Sequence, residues 1–187
     1  MTKPLILTTP KGIAKWPYLI EPDIEFNPDG LFHTKLVCKK EESVKIKKAI
    51  DDMIAQEIKK QHDKDPNKAI TKSLPYTEEG DDIIFNFKMK AKGTRKSDGK
   101  LFTQEPNIVN ADLTPFNKDQ KIWGDSILKI TFEPYAWNMP VGIGCTLRIK
   151  TVQVLELVTG KLSDTLGDLK VEPVVAPKVN QEEETHI

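Results

Sequence analysis

Ile83, Phe85, Phe87, Met89 and Ala91 alternate with Ile84, Asn86, Lys88, Lys90 and Lys92. A period of two over ten residues puts apolar side chains on one side of a strand and polar ones on the other. The polar side becomes steadily more cationic, and only a sheet with one buried face and one wet face accommodates that pattern. The strand runs into Gly93, Arg95, Lys96, Ser97, Asp98, Gly99 and Lys100, a basic turn with aromatic Phe102 just beyond. Cations and aromatics together on a sheet surface suit a flexible polyanion that carries stackable bases, which is the chemistry of single-stranded nucleic acid.

Other segments repeat the alternation. Residues 11–20 read as a strand interrupted by Pro17, an edge or a bulge. Asn27-Pro28-Asp29-Gly30 is a turn signal. It leads into residues 31–40, where Phe32, Thr34, Leu36 and Cys38 alternate with His33, Lys35, Val37 and Lys39. Residues 126–137 place Leu128, Ile130 and Phe132 on one face and Lys129, Thr131, Glu133, Tyr135 and Trp137 on the other. In residues 143–158, Val152 and Val154 are out of phase with Ile143, Cys145, Leu147 and Ile149. One extra residue near Lys150-Thr151 predicts a β-bulge.

One helix stands out. Ile46, Ile50, Met53, Ile54 and Ile58 recur at helical spacing, with Ser43 as the expected N-cap and an expected end near Gln61, before Pro66. Residues 63–80 read as a polar loop, and Ile108–Asp112 as a short segment. Several long strands, one helix and no βαβ rhythm predict a mostly β protein. The expected architecture is an OB-fold-like small antiparallel barrel with one substantial helix and a flexible C-terminal tail. The expected boundaries are a binding domain at 1–159 and a tail at 160–187.

The 187 residues are balanced in charge, with 28 lysines and arginines against 28 carboxylates. The balance hides an asymmetry: the tail carries three lysines and six carboxylates, a formal −3, which leaves the body at +3. A basic body with an acidic tail is one layout of nucleic-acid binders. No apolar run is long enough to span a membrane, and the N-terminus has no signal-peptide body, so a cytoplasmic location is expected. Cys38 and Cys145 lie in apolar strand contexts and read as buried small hydrophobes.

Catalytic and metal chemistry finds no support in the pattern. Gly142-Ile143-Gly144 opens a strand and lacks the third glycine of a dinucleotide fingerprint. His33, His62 and His186 have no partner at a metal-ligand spacing. No nucleophile or acid–base set is evident, so neither an enzyme nor a cofactor is expected. The expected nucleic-acid contacts are the cations Lys15, Lys35, Lys88, Lys90, Lys92, Arg95, Lys96, Lys100, Lys129, Arg148 and Lys150. The aromatics Trp16, Tyr18, Phe102, Trp123, Tyr135 and Trp137 interleave with them. The rival readings are a protein-interaction or virion-associated β-barrel with merely solvated lysines, and a hydrolase whose carboxylates gather from separate loops.

NPDG followed by the strand FHTKLVCK and a helix is similar to the T7-like phage single-stranded DNA-binding proteins. So are FKMKAKGTRKSDGKLFTQEPNIVNAD and the closing LRIKTVQVLELV, and the resemblance covers roughly residues 8–158. It implies an OB-fold that coats single-stranded DNA in replication, recombination and repair in the host cell cytoplasm. By position, Lys88, Lys90, Lys92, Arg95 and Lys96 match the family's basic strand-and-hairpin element, and Arg148 and Lys150 its last strand. The resemblance further implies a tail that contacts a phage DNA polymerase and helicase-primase, and tail-mediated homodimers. Glu182, Glu183 and Glu184 would serve that tail. This chain departs from the pattern there: the acidic run is short and the sequence ends in Thr185-His186-Ile187 rather than an aromatic residue.

Overall fold

A computed structural model describes residues 4–159. The expected tail, with Glu182, Glu183 and Glu184, lies outside the described residues. The chain order is β1 (Leu7–Thr8), β2 (Gly12–Asp23), β3 (Leu31–Lys39), α1 (Lys40–Lys64), β4 (Lys72–Ser73) and β5 (Tyr76–Glu79). There follow β6 (Asp82–Lys90), β7 (Lys92–Thr94), β8 (Leu101–Thr103), β9 (Asn107–Asn110), β10 (Ile127–Met139) and β11 (Gly142–Glu156). No helix among the described residues is long and apolar enough to cross a membrane.

β2, β3, β6, β11 and β10 form the body of a strongly curled sheet, paired in that order. β10 returns to β2 through only two residue pairs, Ile127 with Ile13 and Leu128 with Gly12. The sheet is therefore a partly open barrel of the OB type. Its pairing is mostly antiparallel, as expected, but β11 also runs parallel to β4, β6 and β9. The parallel β6–β11 joint pairs Leu147 with Phe87 and Arg148 with Lys88.

Alternation sorts the side chains as the sequence predicts. Leu36, Phe85, Phe87, Leu128, Ile130, Phe132, Leu147 and Ile149 are fully buried inside the curl. Phe87 meets Phe132 edge to face at 5.1 Å between ring centroids. The predicted bulge is present. Thr131 pairs with Thr151 and Phe132 with Ile149, so Lys150 is the unpaired extra residue. The Asn27–Gly30 turn closes with a Gly30 amide bond to the Asn27 carbonyl, and Gly30 takes a φ of +79° that favours glycine.

α1 packs its Ile46, Ile50 and Ile54 edge against β3, β6, β10 and β11. Two sequence expectations need correction. Ser43 is not the N-cap; its hydroxyl donates back to the Lys39 carbonyl at 2.8 Å from within the first turn. β3 runs directly into the helix, so the N-cap position falls to Lys39, which makes no side-chain cap bond, while the Lys40 amide donates to the Asp81 carbonyl. Residues 63–80 are also not a plain loop, because they contain the last two residues of α1 together with β4 and β5.

β5 contributes Tyr76, whose ring is buried against Phe85 and whose hydroxyl donates to Asp51 on α1 at 2.6 Å. Burial, followed by the Asp51 carboxylate, pushes this phenol up to about 12. The neutral phenol is thus favoured more in the folded than in the unfolded chain, where it titrates near 10. Its contribution is fully present below pH 10 and is lost as pH rises from 10 through about 12. Tyr76→Phe should therefore lower stability at pH 7 by about 1.5–3 kcal/mol, typical of a hydrogen bond to a charged group. The gap from the native chain should narrow in urea titrations repeated between pH 10 and 12.

Burial likewise raises the Cys38 thiol to about 12 and the Cys145 thiol to about 11. Both are free and buried, consistent with a packing role.

Candidate nucleic-acid interface

The outward face of the curl carries one transverse row. Tyr18 on β2 pairs with His33 on β3, and His33 pairs with Lys88 on β6. Lys88 pairs with Arg148 on β11, which pairs with Glu133 on β10. Residues opposite one another in a ladder share a face, so four cationic or aromatic positions stand side by side across four strands. A second row places Lys15 beside Lys35 and Lys35 beside Asn86. Lys90 stands at the end of β6, opposite Leu31.

Like charges facing each other across a ladder are unfavourable. Lys88 next to Arg148, and Lys15 next to Lys35, are juxtapositions that a fold does not need. Asp125 already answers the second through Lys15, whereas the first has no carboxylate ion-paired with either member among the described residues. Among the described residues, Lys35, Lys88, Lys90 and Arg148 have no carboxylate within 4.0 Å. Others are already engaged: Lys15 with Asp125, and Lys150 with Glu133 at 2.8 Å.

Four exposed rings on or beside this face have a basic group against them. The Arg148 guanidinium lies 3.6 Å from the Tyr135 ring centroid, and the Lys35 ammonium 5.3 Å from that of Trp16. Tyr18 stacks on His33 at 4.9 Å, and Lys121 covers Trp123 at 4.9 Å. These contacts hold the rings in fixed orientations and leave surface for further stacking.

Trp16 is held out by its backbone. β2 slips register between Lys15 and Tyr18, and Trp16 takes a φ of +47°, left-handed for a bulky residue. The bulge swings the indole outward until 68% of the residue is exposed. Strain of this kind costs about 1–2 kcal/mol and persists where surrounding structure enforces it. Trp16→Gly should therefore be more stable than Trp16→Ala by about 1 kcal/mol in urea unfolding.

β2 residues 16–22 and the segment 118–124 enclose a groove of about 580 Å³. Trp16, Tyr18 and Trp123 line it, with buried Leu19 and Ile122 beneath. Glu21, Lys118, Asp119, Gln120 and Lys121 supply its polar lining.

The remaining sequence-predicted residues fall elsewhere. Lys92, Arg95, Lys96 and Lys100 are exposed on the β7–β8 hairpin, a separate two-stranded sheet beyond the end of β6. Phe102 belongs to that hairpin but is half-buried, its ring lying against Gly93, where an added Cβ would come within 2.8 Å. Trp137 is half-buried over Gly144 at the β4 end of the sheet. Lys129 stands six residues from Tyr135, roughly 20 Å down β10, away from the row. His33, not among the contacts expected from sequence, stands in the middle of the row: it touches Tyr18, pairs with Lys88 and bonds Asp23 at 3.2 Å. That hydrogen bond, after one from the Glu25 amide, holds the Asp23 carboxyl below its usual range. Its alternation with Lys35 on β3 was the available signal.

A partly open OB-type sheet with cations and exposed rings on its outer face defines a protein of the single-strand nucleic-acid-binding class. The chain belongs to the bacteriophage T7 single-stranded DNA-binding protein family, whose model matches residues 12–157. No curated protein matches the sequence significantly. Among solved structures, the fold is similar to that of gp2.5, a single-stranded DNA-binding protein encoded by bacteriophage T7. That match has a TM-score of 0.69 at 22% identity, covering 88% of this chain and 98% of that one. It is also similar to the single-stranded DNA-binding protein of bacteriophage Enc34 in complex with single-stranded DNA. There the TM-score is 0.54 at 12% identity, covering 81% of this chain and 86% of that one.

Proposed function

We propose that this protein coats single-stranded DNA with little regard to sequence, during phage replication and the recombination and repair that accompany it. The observation that carries the reading is the Tyr18–His33–Lys88–Arg148 row, continuous across four strands. In this reading phosphates follow Lys35, Lys88, Lys90 and Arg148, with Lys15 and Lys150 released from their carboxylates as DNA arrives. Bases stack on Trp16, Tyr18 and Tyr135, which bind any base through its π-face. The hairpin cations Lys92, Arg95, Lys96 and Lys100 extend the grip past the sheet, with Phe102 beside them. Trp137 and Lys129 serve only a strand that wraps further around β10.

The role is binding without catalysis, in the cytoplasm of the host cell. Residues 1–159 form the binding domain, and residues 160–187 a tail whose Glu182, Glu183 and Glu184 recruit partners. Phage polymerase, helicase-primase and a second copy of the chain are the partners this reading assigns to the tail.

Tryptophan fluorescence titrated with oligo-dT tests the reading. Quenching should saturate at low salt, and log affinity should fall with log salt by about 0.7 per phosphate contacted. Absence of any binding at low salt would remove the proposal.

A further inference from the structure

We propose that the groove between β2 and residues 118–124 is a slot for one nucleobase of the bound strand. The inference rests on the single-stranded DNA-binding reading and adds a position where a base, rather than the backbone, is held. Four features support it.

Geometry comes first. The Asp125 amide bonds the Ala14 carbonyl at 2.8 Å, and the Ala14 amide bonds the Ser126 carbonyl at 2.9 Å. Lys15 is ion-paired with Asp125 on top of this tie. Trp16 lies two residues after Ala14, and Trp123 two residues before Asp125. Trp16 and Trp123 therefore stand beside one antiparallel backbone anchor on facing segments, and both line the groove. Rigid aromatic walls spare most of the ordering cost of gripping a flat ligand.

Size and polarity come next. At about 580 Å³, the groove falls within the range of small-molecule sites. Its floor is apolar, with Leu19 and Ile122 each 2% exposed.

Charge decides between base and phosphate. The lining brings the carboxylates Glu21 and Asp119. Of its two lysines, Lys118 is paired with Glu105, and Lys121 lies over the Trp123 ring with its charge unpaired among the described residues. The two carboxylates oppose a phosphate in the lining and Lys121 is the one lysine there without a carboxylate partner among the described residues, while a neutral base meets rings and an apolar floor.

Continuity comes last. Tyr18 lines the groove and also stands in the cationic row, stacked on His33. A strand following the row reaches the groove at Tyr18.

Two probes of equal length separate the parts of the claim: oligo-dT, and an abasic deoxyribose-phosphate oligomer with the same charge. In the full chain, Trp123→Ala should weaken oligo-dT binding about 10-fold and leave the abasic oligomer unchanged. Trp123→Phe, which keeps a ring, should restore most of the loss, and equal melting temperatures would show that both variants are folded. Lys88→Ala should weaken both probes alike. Equal losses on the two probes for Trp123→Ala, or no loss on oligo-dT, would overturn the slot while leaving the binding reading intact. Failure of the native chain to bind either probe at low salt would remove both.

Discussion

Replacing Lys88 and Arg148 together with alanine should weaken binding to oligo-dT about 100-fold at low salt, about 10-fold for each cation. It should also flatten the plot of log affinity against log salt by about 1.4, because each phosphate contact on a single strand contributes about 0.7. The two side chains are register partners across the parallel joint between β6 and β11. Both are exposed, and neither has a carboxylate within 4.0 Å among the described residues. Their positive charge is thus available to an incoming phosphate at no cost in broken ion pairs. The fold should tolerate the change, since neighbouring like charges on a ladder are mildly destabilising. Arg148 also covers the Tyr135 ring at 3.6 Å, so Lys88→Ala alone isolates the phosphate contribution. Lys59→Ala, on the exposed side of α1, is the control and should change little. Fluorescence titration at several salt concentrations with parallel thermal melts reads all of these. Unchanged affinity in the double variant would move the DNA path to another face.

The largest effect on stability should come from the inside of the same joint. Phe87→Ala should cost about 3–5 kcal/mol, the range for emptying a buried phenylalanine site. Phe87 is 1% exposed, meets Phe132 at 5.1 Å and Phe85 at 6.2 Å, and pairs in register with Leu147. The β6–β11 joint has only two register pairs, Leu147 with Phe87 and Arg148 with Lys88. Phe87 therefore fills the core under the same two-pair contact that sets Lys88 beside Arg148. Urea unfolding should show the loss as a lower midpoint with a similar slope. A shift below about 1 kcal/mol would mean that the site collapses around the smaller side chain, and that the joint is held by other contacts.

Much of this architecture was legible from alternation. A strand that buries one face must place its apolar residues two apart, so residues 83–92 declared both Phe87 as core and Lys88 as surface. The phase slip after Ile149 likewise marked the bulge, and Lys150 is the unpaired residue there. Pairing partners were not legible. Nothing local tells β6 that it will run parallel to β11, yet that pairing is what joins Lys88 to Arg148. β4 escaped detection because both of its residues are exposed and show no alternation, and β5 because three of its four are. The loop 118–124 reads as polar sequence, and it becomes a groove wall only through backbone bonds between Asp125, Ser126 and Ala14. Composition also overstates the free charge of the interface: Lys15 and Lys150 are cations in sequence but ion-pair members in the fold. Phe102, the nearest aromatic to the basic turn, is largely spent covering Gly93.

Backbone amide chemical shifts recorded while oligo-dT is added test the central claim most directly. The account predicts the largest changes at Tyr18, His33, Lys35, Lys88, Tyr135 and Arg148, with the exposed side of α1 unmoved. Changes concentrated on α1, with the Tyr18–His33–Lys88–Arg148 row silent, would contradict it.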